Sequence, residues 1–253
     1  ERYAETLCQE IRENLSLALA MGYRLRATYI GGGTPTAVSC AQLERIIAAA
    51  LETAGGAGRE FTVEAGRPDT ITPEKLAMLK RMGVSRISIN PQTMNAGTLA
   101  LIGRSHSPNE VERAFFEARE AGFHNINMDT IAGLPGETPE MVGYTMERIA
   151  ALSPENLTVH TLAIKRSSRL KEHLGEVELP NAQAVEKMLD VSRKAAIAMG
   201  MHPYYMYRQK YMQGNFENVG YTKPGLESIY NIDNMEETAS VLALGAGAIT
   251  KWV

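Results

Sequence analysis

The sequence predicts an α/β fold in which parallel strands with outer helices curl into a closed or partly closed (β/α) barrel. Three observations carry this. An apolar-striped helix, a glycine and a β-rich run recur along the chain as one unit. The runs alternate with helices at a spacing that calls for crossover connections, hence a parallel sheet. No dinucleotide-binding fingerprint stands at a strand-to-helix turn, which favours a barrel over an open doubly wound sheet.

The first helix runs from Ala4 to Met21, with Leu7, Ile11, Leu15 and Ala18 on one face, and stops at Gly22. The second opens on the capping box Ser39-x-x-Gln42 and carries Leu43, Ile46, Ile47, Ala50 and Leu51. The third starts at Thr72-Pro73 and stops at Gly83, the fourth starts at Ser107-Pro108 and stops at Gly122, and a late helix spans Ala182 to Met199 before Gly200. Glycine just past a helix end takes the left-handed cap conformation, so these glycines read as punctuation. The β-rich runs are Arg26–Ile30, Glu60–Glu64, Arg86–Asn90, Ile126–Asp129, Leu157–Thr161 and Tyr204–Tyr207. No low-complexity linker breaks the series before Ser167. After Gly200 the pattern changes to Tyr204, Tyr205, Tyr207, Tyr211, Tyr221 and Tyr230 among Gly214, Gly220 and Pro224-Gly225, which predicts an irregular or antiparallel extension. The expected division is a barrel core over residues 1–180 and a C-terminal helix and Tyr/Gly-rich extension over 181–253.

The 253 residues suffice for one large α/β domain or two small ones. The net charge of −3 and the absence of a Lys/Arg block interleaved with aromatics argue against a nucleic-acid partner. No apolar run approaches the ~20 residues of a membrane span, and the first residues do not resemble a signal peptide. Two cysteines, Cys8 and Cys40, form no ligand motif and suit a reducing, cytoplasmic location. The chain opens on Glu1 and closes on Lys251-Trp252-Val253 inside an expected strand, so both ends read as cut.

The organising stretch is Ala27 to Thr36, a short β-rich run that ends in Gly31-Gly32-Gly33-Thr34-Pro35-Thr36. Three glycines have nothing to pack; they admit a ligand or another backbone to the main chain. A tight βα turn is the plainer reading of the same residues. In a parallel barrel the carboxyl ends of the strands converge on one face, where catalytic groups sit. The runs here end in Gly31–Thr34, Glu64, Asn90 with Gln92, Asp129, and His160 with Thr161. Singly, Glu64 reads equally as a satisfied core carboxylate, Asp129 as a cap for Gly133-Leu134-Pro135-Gly136, Gln92 as a loop amide, Arg104 as a surface charge and His160 as a core histidine. Together, two carboxylates, an amide, an arginine and a glycine loop suit a ligand bearing hydroxyls, an amine and a carboxylate.

These residues resemble a known family. Gly31–Thr36, Phe61-Thr62-Val63-Glu64 with Pro68, Ile87–Gln92, Leu101–Ser107 and Asn127–Thr138 are similar to the radical S-adenosylmethionine (SAM) enzymes of the oxygen-independent coproporphyrinogen III oxidase group. A fainter match covers Asn218 to Ile249. Glu64-Ala65-Gly66-Arg67-Pro68 and the Tyr-rich tail most resemble the coproporphyrinogen dehydrogenase branch. The resemblance implies a partial (β/α) barrel missing its first strand, with Arg26–Ile30 as its edge. It also implies that Gly32, Gly33 and Thr34 hold the methionine end of SAM, that Glu64 and Gln92 contact SAM, and that Arg104 meets its carboxylate. Asp129 then takes the ribose hydroxyls, and Ala163 and Ile249 the adenosyl portion.

The same resemblance implies a [4Fe–4S] cluster held by a CxxxCxxC loop, which this sequence does not contain. Cys8 and Cys40 read as structural, and the expectation is a fragment whose cluster ligands lie upstream. For the intact protein the implied activity is oxidative decarboxylation of coproporphyrinogen III to protoporphyrinogen IX, with an unidentified electron donor. Two alternatives stand beside it. One is a haem carrier of the same family, although that branch carries His-Asn and Tyr-Trp where this chain has Tyr230-Asn231-Ile232-Asp233-Asn234-Met235. The other is a (β/α) barrel enzyme that grips a phosphorylated substrate through the glycine loop.

Overall fold

The computed structural model describes residues 2–163, 179–208 and 216–253. Ser167, Tyr211 and Gly214, which figure in the sequence reading above, lie outside the described residues. The chain forms two compact units. The first comprises Glu1–Ser88, Phe116–His124 and Ser228–Val253; the second comprises Ile89–Phe115 and Asn125–Glu227.

The first unit opens with α1 (Arg2–Ala20), followed by β1 (Ala27–Ile30), α2 (Cys40–Ala54), β2 (Glu60–Gly66) and α3 (Pro73–Arg81). β1 pairs in parallel with β2, Ala27 opposite Glu60 and Ile30 opposite Val63. The start of β3 (Arg86–Gln92) lies on the other side of β2, so β1 is the edge strand. The Ser39–Gln42 capping box forms as expected, each side chain bonded to the other residue's backbone. α1 and α2 pack through a small core of Ala4, Cys8, Ile11, Ile46 and Ala49.

In the second unit the sheet continues from the end of β3 through β4 (Ile126–Ala132) and β5 (Asn156–Thr161) to β7 (Asn218–Thr222) and β6 (His202–Tyr207). β4 and β5 run parallel, with Asp129 opposite Thr158 and Ile131 opposite His160. β7 then pairs antiparallel with both β5 and β6, which is the antiparallel extension expected from the Tyr-rich tail. Two helices of this unit escaped the sequence reading: α4 (Ala96–Leu101) and α6 (Pro139–Leu152). α6 begins with Thr138, which caps Met141 N–H, and Pro139 in its first turn; that is the signature that identified α3 at Thr72-Pro73. α5 (Pro108–Glu120) is capped by Ser107 and Glu110, and the Ser107 hydrogen bonds hold the Glu110 carboxyl below its ordinary pKa. The remaining helices among the described residues are α7 (Ala182–Ala198) in this unit and α8 (Ile229–Met235) in the first. The closing residues, expected as a strand, make one bridge only, Lys251 to Val241. No helix among the described residues is long and apolar enough to cross a membrane.

Candidate functional site

The first unit contributes the glycine loop and Glu64. Parallel pairing puts Tyr29 and Thr62 on one face of the sheet, and Glu64, two residues on, shares it. The Tyr29 hydroxyl donates to Glu64 Oε1, and the Tyr29 ring stacks on Tyr230 at 4.0 Å between centroids and 18° between planes. Gly31 is required here: a Cβ on it would stand 2.4 Å from Tyr29 Cε1 and 3.0 Å from Glu64 Cδ. Gly32 and Gly33 differ, with φ of 80° and 32° and nothing within 4 Å of an added Cβ, so their backbone is open to an incoming group. Thr34 leads into a 3₁₀ turn, Pro35–Ala37, which Thr36 anchors to β2 through Ala65 O at 2.7 Å. The loop therefore does not run straight into a helix N-terminus. α2 starts only at Cys40, with its first turn already capped, and this removes the main physical support for gripping a phosphate. Ile249 lies in the C-terminal segment of this unit and is 83 % exposed.

The second unit contributes Gln92, Arg104, Asp129 and Ala163. Gln92 ends β3 in the left-handed region at φ 65°, a costly conformation for a side chain, and its neighbours hold it there. The Thr93 hydroxyl donates to Glu137 Oε1 at 2.5 Å, Asn95 Nδ2 donates to the same oxygen at 3.0 Å, and Met94 N–H donates to Thr145 Oγ1 at 3.1 Å. Burial pushes the Glu137 carboxyl up, against the hydrogen bonds from Thr93, Asn95 and Thr98. A carboxyl raised on folding favours the folded state below its unfolded pKa and opposes it as pH climbs through the folded value. Glu137→Gln keeps an acceptor without the charge, so its thermal midpoint is expected above that of the parent at pH 8 and not above it at pH 4. Calorimetric melts at the two pH values check this.

Arg104 follows the α4 helix, and buried His106 ties its loop to the end of β3, with Nε2 3.4 Å from Pro91 O. Ala163 follows Leu162, whose N–H donates to Ala132 O at the end of β4. Asp129 is the most elaborated of the four. Asn127 Nδ2 donates to its Oδ1 at 2.6 Å, and His160 Nε2 stands 3.7 Å from its Oδ2. Burial alone raises this carboxyl, yet the nearby His160 ring, with bonds from Asn127 and Thr158, holds it below the ordinary aspartate value. A carboxyl held low in this way is suited to accept from hydroxyl donors.

Gly31, Tyr29 and Glu64 meet in the first unit, and Asp129, Asn127 and His160 in the second. Sequence reasoning missed Tyr29, Tyr230 and Tyr207 and set His160 down as a core residue. The alternation of the Ala27–Ile30 run was the available signal for Tyr29, which lies two residues before Gly31.

Two buried side-chain atoms at strand ends of the second unit, Asn90 Oδ1 on β3 and Thr161 Oγ1 on β5, have no hydrogen-bond partner in the protein. These atoms and the Asp129 carboxylate give the second unit polar groups whose chemistry suits a ligand with amine and hydroxyl donors, such as SAM, and in the first unit the open Gly32–Gly33 backbone suits the same kind of ligand. The described residues do not fit an iron–sulfur cluster. Among them no three His, Cys, Asp or Glu side chains are grouped to hold a metal. Cys8 is buried on α1 with its Sγ directed at Arg45 O, and the Cys40 thiol is pushed up by burial and by Glu74 and Glu44.

The family model described as the Radical SAM superfamily matches residues 2–149. The chain belongs to that superfamily. Its sequence is 41 % identical over 232 residues to the "Oxygen-independent coproporphyrinogen-III oxidase-like protein HemZ" of Bacillus subtilis (strain 168), covering 91 % of this chain and 46 % of that one. It is 32 % identical over 229 residues to the "Heme chaperone HemW" of the same organism, covering 88 % and 56 %. The solved coproporphyrinogen III oxidase HemN of Escherichia coli superposes with a TM-score of 0.77 at 23 % identity, over 99 % of this chain and 57 % of that one. The fold is thus the partial (β/α) barrel of radical SAM proteins, as the strand-end motifs implied. The chain spans about half the length of the curated relatives it matches.

Proposed function

We propose that the whole protein is a radical SAM oxidoreductase that decarboxylates coproporphyrinogen III to protoporphyrinogen IX, drawing on an unidentified electron donor. SAM, together with a [4Fe–4S] cluster whose ligands are not among the described residues, would supply the hydrogen-abstracting chemistry when bound. The residues of this chain bind and orient. Gly32, Gly33 and Thr34 offer backbone groups to the methionine end, and Glu64 and Gln92 contact SAM. Arg104 forks onto the SAM carboxylate, Asp129 accepts the ribose hydroxyls, and Ala163 and Ile249 flank the adenosyl portion. The observation that carries the reading is the Asp129 carboxylate midway along β4, inside the Asn127–Thr138 motif, with Asn127 Nδ2 on one oxygen and His160 beside the other.

Asp129→Asn keeps the size and one acceptor but loses the charge. A charge-assisted hydrogen bond is worth roughly 1.5–3 kcal/mol, so partial loss implies roughly tenfold weaker SAM binding. Titration calorimetry on the full-length protein is expected to show this with iron content unchanged. SAM affinity equal to the parent's returns Asp129 to the role of a loop cap.

The second reading is a haem carrier, favoured by the likeness to HemW. Anaerobic incubation with SAM, a reductant and coproporphyrinogen III separates the two. Protoporphyrin in the oxidised extract supports the enzyme, and transfer of bound haem to an acceptor protein without porphyrin turnover supports the carrier.

A further inference from the structure

We infer that His160 and Tyr207 are positioning residues for the Asp129 carboxylate, so that the ribose-holding group is the last member of a Tyr–His–Asp relay. The inference rests on the reading of Asp129 as the ribose acceptor and adds what aims it.

The relay follows from register. Asp129 pairs with Thr158 and Ile131 with His160, so Asp129, Thr158 and His160 project from the same face of β4 and β5. Across β7, Gly220 pairs with both Thr158 and Tyr205, and Asn218 pairs with Tyr207, which brings Tyr205 and Tyr207 to that face. The Tyr207 hydroxyl lies 3.2 Å from His160 Nδ1. His160 Nε2 faces Asp129 Oδ2 at 3.7 Å, and a carboxylate oxygen only accepts, so Nε2 carries the proton and Nδ1 of the neutral ring is the acceptor for Tyr207. At that separation the N–H steers the carboxylate without using up its lone pairs. On the far side, Asn127 Nδ2 holds Oδ1 at 2.6 Å, and Asn127 Oδ1 in turn accepts from Thr158 Oγ1 at 3.2 Å. One oxygen is thus pinned and the other is aimed by a histidine that a tyrosine holds from its far side. Hydrogen bonds that are long in the free protein tighten when ligand binds, and ribose hydroxyls are donors that Oδ2 can accept.

No other function claims the pair. His160 is 26 % exposed at its side chain, so it is not a core histidine, and no metal-holding group occurs among the described residues. Tyr207 stacks on Tyr205 at 6.3 Å and 11°, which fixes its ring and directs its hydroxyl.

The test is selectivity for the ribose hydroxyl, measured by calorimetry on the full-length protein with SAM and with its 2′-deoxy analogue. The parent is expected to prefer SAM by roughly tenfold, and Asp129→Asn to lose most of that preference. His160→Phe and Tyr207→Phe are expected to cut the preference to roughly threefold or less, and His160→Gln, which keeps an N–H donor, to restore part of it. A purely structural role weakens both ligands alike and leaves the ratio unchanged. If the parent discriminates, Asp129→Asn abolishes the discrimination and both phenylalanine variants retain it in full, the relay is refuted and the reading of Asp129 stands. If the parent shows no hydroxyl preference, or Asp129→Asn keeps the parent's preference in full, Asp129 does not hold the ribose, and both the reading and the relay fall.

Discussion

Gly220→Ala is expected to destabilise the protein by about 3 kcal/mol, the upper part of the range for forcing extra volume into a packed site. An added Cβ would lie 1.8 Å from Tyr205 Cε1 and 2.4 Å from Cδ1, inside the ring rather than beside it. Tyr205 cannot simply swing away. It is 8 % exposed, its hydroxyl lies 3.3 Å from Thr158 Oγ1, and its ring packs against Tyr204 and Tyr207. At roughly 2–4 °C per kcal/mol for a chain of this size, the thermal midpoint is expected to fall by roughly 6–12 °C. Urea denaturation of the single and double variants isolates the cause, because Gly220→Ala is expected to cost far less when Tyr205 is already alanine. An unchanged midpoint for Gly220→Ala in the parent would contradict the pairing of Gly220 with Tyr205 across β6 and β7.

Glu60→Ala is expected to cost a similar amount, about 3 kcal/mol, in the first unit. Its carboxylate is 7 % exposed and fully engaged: it accepts from Ser228 Oγ at 3.0 Å, Ile229 N–H at 2.8 Å, Tyr230 N–H at 3.3 Å and Thr62 Oγ1 at 3.2 Å. Removing it leaves the α8 N-terminus and two hydroxyls without their acceptor, and buried donors left unpaired cost more than the bonds gained on folding. A local consequence accompanies the global one. α8 carries Tyr230, which stacks on Tyr29, and Tyr29 bonds Glu64. Glu60→Ala is therefore expected to weaken SAM binding in protein that is still folded at low temperature. Glu60→Gln retains an acceptor and should lose less on both measures. Thermal melts paired with calorimetry at 10 °C separate the two effects, and a stable Glu60→Ala protein would mean that α8 is held by packing alone.

Much of the fold was legible because the signals are local. The Ser39–Gln42 box, Thr72-Pro73 and Ser107-Pro108 each satisfy backbone donors within a few residues, and the helices begin where those residues stand. The same signal at Thr138-Pro139 was present and was read only as part of a motif, so α6 was missed. The motifs at the strand ends named the family and its partial barrel, since each is a short run with a fixed place relative to a strand.

What pairs with what is another matter, because it depends on contacts between residues far apart in the chain. Asp129 alone reads as a loop cap; only the register of β4 with β5 brings His160 beside it, and only the antiparallel β6–β7 pair brings Tyr207 to His160. Tyr29 in isolation is an ordinary strand residue, whereas stacked on Tyr230 and bonded to Glu64 it supports a residue of the candidate site. Sequence by itself determined the helix caps, the strand-end motifs and the family. Tertiary structure decided the partners of Asp129, the need for glycine at Gly31 and Gly220, and the partners of Glu60, because burial and close approach exist only once distant strands are side by side.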